Sequence, residues 1–279
     1  MRKTVKRGRE LYCKLISTKD ADSVARRFID MFFSNKFIKA TGEYCTYEKN
    51  IPAPLLRRKF IVNDVKNVVL SICGLGFYRL FVNGKEITAG RLCTSIYNPD
   101  HFLFYDEYVL DEYIEEGENV IGVMLGNGFL NNVGGNIWDM DKATFRDAPK
   151  VALSLSQGGK VLFEADERFL CAPSPVLFDD YRSGEIFDAR EIKDGWNEVG
   201  YDDSGWKPSF FAIAPNGRPQ KYDGVRLKAH KELKPLKITP CGDRYAVINN
   251  TDKEQTTIFY DMNGKAQTLR LNAYEIKWL

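Results

Sequence analysis

The chain has 279 residues, 44% of them hydrophobic and 28% charged, the balance of a globular protein rather than a disordered one. Forty Lys and Arg oppose 38 Asp and Glu, and the formal charge of +2 leaves no electrostatic footprint for nucleic acid or an anionic membrane. No apolar run approaches the ~18 residues of a membrane span, and Leu11 to Ile16 is too short and broken for a secretory signal, so a cytoplasmic location is expected. The six cysteines (Cys13, Cys45, Cys73, Cys93, Cys171, Cys241) form no C-x-x-C pair and read as free thiols of a reducing compartment. The only two histidines, His101 and His230, lie in neither a G-x-S-x-G nor an H-E-x-x-H context and read as ordinary polar residues.

Along the chain, Met1 to Lys14 carries six basic residues and one acid and reads as a solvated terminus. Residues 20–34 show the only helical spacing, with Val24, Phe28, Ile29 and Phe32 on one face and Asp20 or Asp22 as the cap. From Arg58 onward the signals are those of strands. Val65 to Ile72 and Phe77 to Val82 are separated by Gly74-Leu75-Gly76, and Asn83-Gly84 turns the second into Lys85 to Thr88. Phe102 to Leu110 follows. Val120 to Leu125, apolar on both faces, reads as a central strand packed between two layers. Lys150 to Ser156 alternates with Val151, Leu153 and Leu155 inward, and Gln157-Gly158-Gly159 turns it into Val161 to Ala165. Between Asp179 and Pro208 the pattern becomes irregular, which marks a functional loop or an ordered crossover packed by its own aromatics, with Trp196 and Trp206 covering a sheet edge. A second set of strands closes the chain: Arg244 to Asn249, Thr256 to Tyr260, an Asn263-Gly264 hairpin, Gln267 to Leu271 and Tyr274 to Trp278. Short strands with turns at this spacing define an all-β fold.

Several stretches in one order carry a family likeness. They include Pro52-Ala53-Pro54-Leu55-Leu56-Arg57-Arg58-Lys59-Phe60, Cys73 to Lys85 (CGLGFYRLFVNGK), Glu116 to Phe129 (EGENVIGVMLGNGF), Ser183 to Arg190 (SGEIFDAR) and Asp202-Asp203-Ser204-Gly205-Trp206. Residues 37–235 in this way resemble the N-terminal β-sandwich region of bacterial α-L-rhamnosidases. Residues 244–279 are similar to the C-terminal tail of galactosyl-hexosamine phosphorylases. The resemblance implies a jelly-roll, galactose-binding-like β-sandwich with a short N-terminal helix and a small C-terminal β module. The expected organisation is an extension over 1–50, the sandwich over 51–220 and the β module over 221–279. It also implies what is missing: inverting glycoside hydrolysis needs two carboxylates ~6.5–9.5 Å apart, which that family carries on a helical barrel that one helix cannot build.

The expected role is therefore a non-catalytic, carbohydrate-binding accessory domain, its partners a neutral sugar such as rhamnose or a rhamnose-containing glycan and a separate catalytic barrel. Tyr97, Asn98, Asn127, Phe129 and Trp138 are the candidate sugar-binding residues, with Tyr181 a further loop aromatic. Asn98, Asp100 and Asn127 are the candidate ligands of a calcium ion, which wants six to eight hard oxygens; the competing reading is plain turn chemistry. The family's usual Gly-Trp-Thr-Asp is replaced here by Ser95-Ile96-Tyr97-Asn98, which removes a ring and a charged oxygen. Two further readings compete: an orphaned hydrolase fragment serving as a structural or interaction module, and an intact enzyme, which requires acids from Asp179 to Asp203 to converge in a cleft. The surrounding turn chemistry favours capping and surface roles for those acids.

Overall fold

In the computed structural model, which describes residues 33–93, 96–132, 140–228, 237–241, 244–249, 251–260 and 263–278, the β-branched stretches pair into antiparallel sheets. In chain order the first half comprises β1 (Phe37–Lys39), β2 (Pro54–Val62), β3 (Val68–Leu75), β4 (Phe77–Val82), β5 (Lys85–Glu86), β6 (Phe102–Val109) and β7 (Gly117–Gly126). Then come β8 (Lys150–Gln157), β9 (Lys160–Glu164), β10 (Leu170–Pro173), β11 (Val176–Asp180), β12 (Gly184–Phe187), β13 (Lys207–Pro208), β14 (Phe210–Ala212) and β15 (Arg218–Lys221). One sheet runs β14-β1-β8-β3-β6-β15, with β9 on the far end of β8; the other runs β13-β10-β2-β7-β4-β5. Strands β11 and β12 form a separate hairpin. Only β15, which lies parallel to β6, breaks the antiparallel pattern of the two large sheets.

The alternation of the strands places the core. Leu56 and Phe60 of β2, Leu80 and Val82 of β4, and Ile121, Val123 and Leu125 of β7 meet Leu70 and Ile72 of β3 and Leu153 and Leu155 of β8 between the two sheets. A smaller cluster on the other face of the β8-β3-β6 sheet joins Phe37, Cys73, Leu75, Leu103 and Leu130. Cys45, Cys73, Cys93 and Cys171 are buried free thiols. The Asn83-Gly84 turn works as expected, with φ of 47° and 83°, and Asn83 also ties two loops by donating to Tyr113 O and accepting from Val120 N–H. The break expected over Gly74 to Gly76 reduces to Gly76: β3 continues through Leu75, and Gly76 alone turns at φ 95°. A side chain there would collide with the Gly126 carbonyl, so only glycine fits.

The long crossover lies on a face, not an edge. Trp196 sits over Gly122 at the centre of β7, where an added Cβ would fall 2.9 Å from the ring, and meets Phe81 of β4 edge-on at 5.4 Å. Trp206 stacks on Trp196 at 6.3 Å. This explains why β7 is apolar on both sides: one face meets the core and the other meets this indole pair. The Arg57 guanidinium of β2, fully buried, lies 5.4 Å from the Tyr201 ring, pairs with Asp203 and donates to Glu198 O at 2.8 Å.

The chain divides after Lys228 into two compact units. The sequence boundary of 220/221 is displaced because β15 is a strand of the large sheet, and Tyr222 N–H extends the pairing by donating to Tyr105 O at 2.8 Å. In the second unit, β16 (Lys237–Cys241), β17 (Arg244–Ile248) and β20 (Ile276–Trp278) form one sheet, and β18 (Gln255–Tyr260) pairs with β19 (Ala266–Leu271). Along β19 the exposure alternates: Leu269 is half-buried and Leu271 buried, and Thr268 and Arg270 are exposed. Buried Asn249 ties this unit together, donating to the carbonyls of Lys253 (2.8 Å) and Asn272 (2.6 Å) and accepting from Thr251 N–H. The helix expected over 20–34 lies outside the described residues except for Phe33 and Ser34, which are not helical; His230 also lies outside them.

Candidate functional site

The turn after β7 and the loop before β6 do meet, but through apolar groups rather than amides. Tyr97, Pro99, Phe129 and Leu130 line one narrow crevice of about 30 Å³. Tyr97 packs onto the smaller core cluster, edge-on to Phe104 at 4.8 Å, as a lid. Asn98 accepts from Asp100 N–H at 2.8 Å in a local turn, and Asp100 accepts from Asn216 N–H at 3.3 Å. Trp138 lies outside the described residues.

Asn127 departs most from expectation. It is 2% exposed, and both amide hydrogens are spent, on Ile51 O at 2.8 Å and Asp179 Oδ1 at 2.7 Å, while its oxygen accepts from Asn131 at 2.8 Å. Asp179 in turn accepts Asn127 N–H at 2.7 Å, and its burial pushes the carboxyl above the ordinary range against the pull of these donors. Asn127 is thus a buried structural knot that fixes the loop, not a rim ligand. The three calcium candidates are engaged singly: the Asn127 oxygen accepts from Asn131, the Asn98 oxygen from Asp100 N–H and an Asp100 oxygen from Asn216 N–H. No group of three or more His, Cys, Asp or Glu side chains placed to hold a metal ion occurs among the described residues.

The acids of the crossover are likewise engaged one by one. Asp180 caps the N–H groups of Arg182 and Ser183, Asp188 caps Arg190, Asp202 caps Ser204, and Asp203 holds Arg57. This is the capping role that their turn chemistry implies.

What the fold does assemble is an open aromatic concavity of about 200 Å³. Phe77 at the start of β4, Phe129 after β7 and Tyr181 after β11 form one wall; Phe129 lies 6.0 Å from Phe77 and 4.9 Å from Tyr181. Gly76 and Gly128 bring these two turns together, since backbone of Gly76 and Phe77 lies 3.1–3.2 Å from where a Gly128 Cβ would sit. The opposite wall is Tyr222, Val225, Arg226 and Leu227, and Cys93 lies between. Behind that wall, Arg226 pairs with buried Asp106 of β6 and lies 4.5 Å from the Tyr222 ring. The Asp106 contact outweighs desolvation and holds the guanidinium proton more tightly than usual. Burial pushes the Cys93 thiol up. Of the sequence candidates, Phe129 and Tyr181 line this site. Cys93, Tyr222 and Arg226 carried no local signal, because they converge only through the parallel β15–β6 pairing.

The two large sheets make a two-layer β-sandwich, antiparallel but for one strand pair, with the aromatic concavity at one end of its turns. The chain belongs to the α-L-rhamnosidase N-terminal domain family, which matches residues 63–230. Residues 240–279 match the lacto-N-biose phosphorylase C-terminal domain. An α-L-rhamnosidase of Formosa agariphila is 34% identical over 164 residues, which cover 55% of this chain and 17% of that protein. The crystal structure of native α-L-rhamnosidase from Aspergillus terreus superposes with a TM-score of 0.66 at 18% identity, covering 94% of this chain and 33% of its own. The Streptomyces avermitilis α-L-rhamnosidase complexed with L-rhamnose gives 0.59 at 19% identity, covering 82% and 25%. The chain therefore spans well under half the length of these relatives, and the structural likenesses establish the fold. No helix among the described residues is long and apolar enough to cross a membrane.

Proposed function

We propose that the chain is a non-catalytic accessory module of the α-L-rhamnosidase type that recognises a neutral sugar, rhamnose or a rhamnose-containing glycan, at the aromatic concavity. The observation that carries the reading is the convergence of Phe77, Phe129 and half-exposed Tyr181 on open space, since pyranose C–H faces stack on such rings. The L-rhamnose complex of the Streptomyces relative supports the choice of sugar. The near-neutral charge argues against a polyanionic ligand or nucleic acid, and the buried free thiols support a reducing cytoplasm. NMR titration with L-rhamnose is expected to give a dissociation constant of about 0.1–1 mM, as a small ligand on an open site implies. Tyr181→Ala should abolish the shifts, Asp100→Ala should retain them, and calcium should leave them unchanged. Absence of any shift at tens of millimolar refutes the reading. In the same preparation, aryl α-L-rhamnosides should not be hydrolysed.

One observation favours a second reading, a structural module for a separately supplied catalytic barrel. Edge strand β14 and its continuation expose Phe211 (54%) and Ile213 (88%). Saturating sugar binding without effect on self-association or on pull-down of a rhamnosidase barrel would count against it.

A further inference from the structure

One wall of the concavity is fastened differently from the rest. After β15 the chain turns through Asp223 to Leu227 and folds on itself. The Tyr222 hydroxyl donates to Val225 O at 3.0 Å, its ring lies so close to Gly224 that an added Cβ would come within 2.6 Å, and the Arg226 guanidinium rests on the same ring. Tyr222 is itself held by the sandwich, its N–H on Tyr105 O and its ring edge-on to Phe104 of β6 at 5.6 Å, so these contacts fold the segment onto a fixed ring. Burial does not anchor it: Val225 is 96% exposed and Leu227 60%. Beyond Tyr222, two hydrogen-bonded contacts tie residues 223–227 to the sandwich. One is a single backbone bond, Arg91 N–H to Leu227 O at 2.8 Å. The other is Arg226, which donates to both Asp106 oxygens, one at 3.2 Å, and reaches Cys93 Sγ at 3.6 Å. The sheet end of this pair is fixed, because Asp106 is 4% exposed and also accepts from Tyr78.

We propose that residues 223–227 form a hinged strap over the Cys93 side of the concavity, latched by the Asp106–Arg226 pair, and that release of this pair opens the wall and uncovers Cys93. The strap is one side of the site, so the latch sets the width offered to a ligand; only that consequence rests on the sugar reading. The hinge is the end of β15, where pairing with β6 stops. A self-packed segment with few buried contacts opens locally without unfolding the core.

The test is the rate of alkylation of Cys93 by iodoacetamide, read by peptide mass spectrometry, with Cys73 and Cys171 as buried internal controls. Arg226→Met should speed Cys93 labelling by about tenfold or more, the loss of charge-assisted hydrogen bonds, and leave the controls unchanged. Arg226→Lys, which keeps a donor for Asp106, should restore much of the protection. Wild-type labelling of Cys93 in Arg226→Met, or equal acceleration of all three cysteines, overturns the latch. If Arg226→Met lacks a cooperative thermal transition, an Arg91→Cys/Leu227→Cys disulfide decides, because these residues face each other across an antiparallel bridge. Oxidation should slow Cys93 labelling below wild type, and an unchanged rate refutes the strap. Labelling needs no sugar, so failure of the latch and failure of sugar recognition are separate results.

Discussion

The crossover and the strap are both irregular segments, and each is pinned to the sandwich by one arginine–aspartate pair, built opposite ways round. In the crossover the sheet supplies the arginine, Arg57, with its side chain fully buried, and the loop supplies Asp203 at 22% exposure. In the strap the sheet supplies Asp106 at 4% and the loop supplies Arg226 at 16%. What differs more is the backing. The crossover pair sits beside the Tyr201 ring, which lies 5.4 Å from the Arg57 guanidinium and packs on Trp206 of the stacked indole pair, with a further bond from Arg57 to Glu198 O. The strap pair has the Tyr222 ring on its loop side, and Tyr78 and Cys93 meet it from the sheet. A buried ion pair alone adds little net stability once desolvation is counted, and its value is largely positional. In a segment packed by its own stacked aromatics it works as a clamp; at the foot of an exposed loop it works as a latch.

The largest expected effect falls on the clamp. Asp203→Leu strands the Arg57 cation, whose burial already lowers its proton affinity, and should cost about 3–5 kcal/mol in urea denaturation with an unchanged m-value. A loss below ~1 kcal/mol would remove the distinction between the two segments. Next is Asp147, which joins Lys39 at 2.6 Å and Lys150 at 2.9 Å outside both segments and calibrates what a buried pair is worth here. Asp147→Asn should cost about 2–3 kcal/mol at neutral pH. Burial raises the Asp147 carboxyl, but the two lysines outweigh it and hold its folded pKa below the ordinary value. Its contribution is therefore present above the unfolded carboxylate pKa and lost as pH falls through the lower folded one. Stability curves of wild type and variant should begin to approach each other near ~pH 4 and meet only below the lowered folded pKa. A difference that persists there would mean that the loss is steric. Smaller again is Gly122→Ala, which drives a methyl into Trp196 and should cost about 1–3 kcal/mol by thermal melting. Gly224→Ala brings a methyl against the far end of the Tyr222 ring, which must shift against its bond to Val225 O, and should cost about 1 kcal/mol.

Much of the sandwich was legible because its strands are locally self-consistent. The Val120 to Leu125 run announced a doubly covered strand, and Asn83-Gly84 fixed a hairpin register, each from a few adjacent residues. The start of β2 was missed because Pro54 and the buried Arg57 and Arg58 read as a polar, broken stretch. Those arginines are admitted by Asp203 and Asp166, residues more than a hundred positions away. Asn127 was misread for the same reason. An Asn-Gly turn predicts an exposed amide, and nothing in its vicinity announces Asp179, which consumes the donors. The site itself was half visible: loop aromatics stood out as rings without a strand pattern, but the opposite wall depends on a parallel strand pair and a buried Asp106–Arg226 contact that sequence order conceals.

The smallest effect is the most discriminating one for the strap. Val225 lines the concavity and is 96% exposed, so replacement by serine removes almost no buried apolar surface and breaks none of the contacts that fold the segment, the Tyr222 bond to Val225 being to the backbone. Substitutions at such positions change stability by less than about 0.5 kcal/mol. Val225→Ser should accordingly leave both the melting temperature and the labelling rate of Cys93 at their wild-type values. If the melt held while Cys93 labelling rose as in Arg226→Met, Val225 would be part of the fastening and the ion pair would not be its single latch. If the melt itself fell by several degrees, the valine would be covered in solution, the strap would be an ordinary packed loop, and the contrast with the crossover would vanish. An unchanged melt and an unchanged labelling rate, set beside the acceleration in Arg226→Met, would locate the holding energy of this wall in one guanidinium.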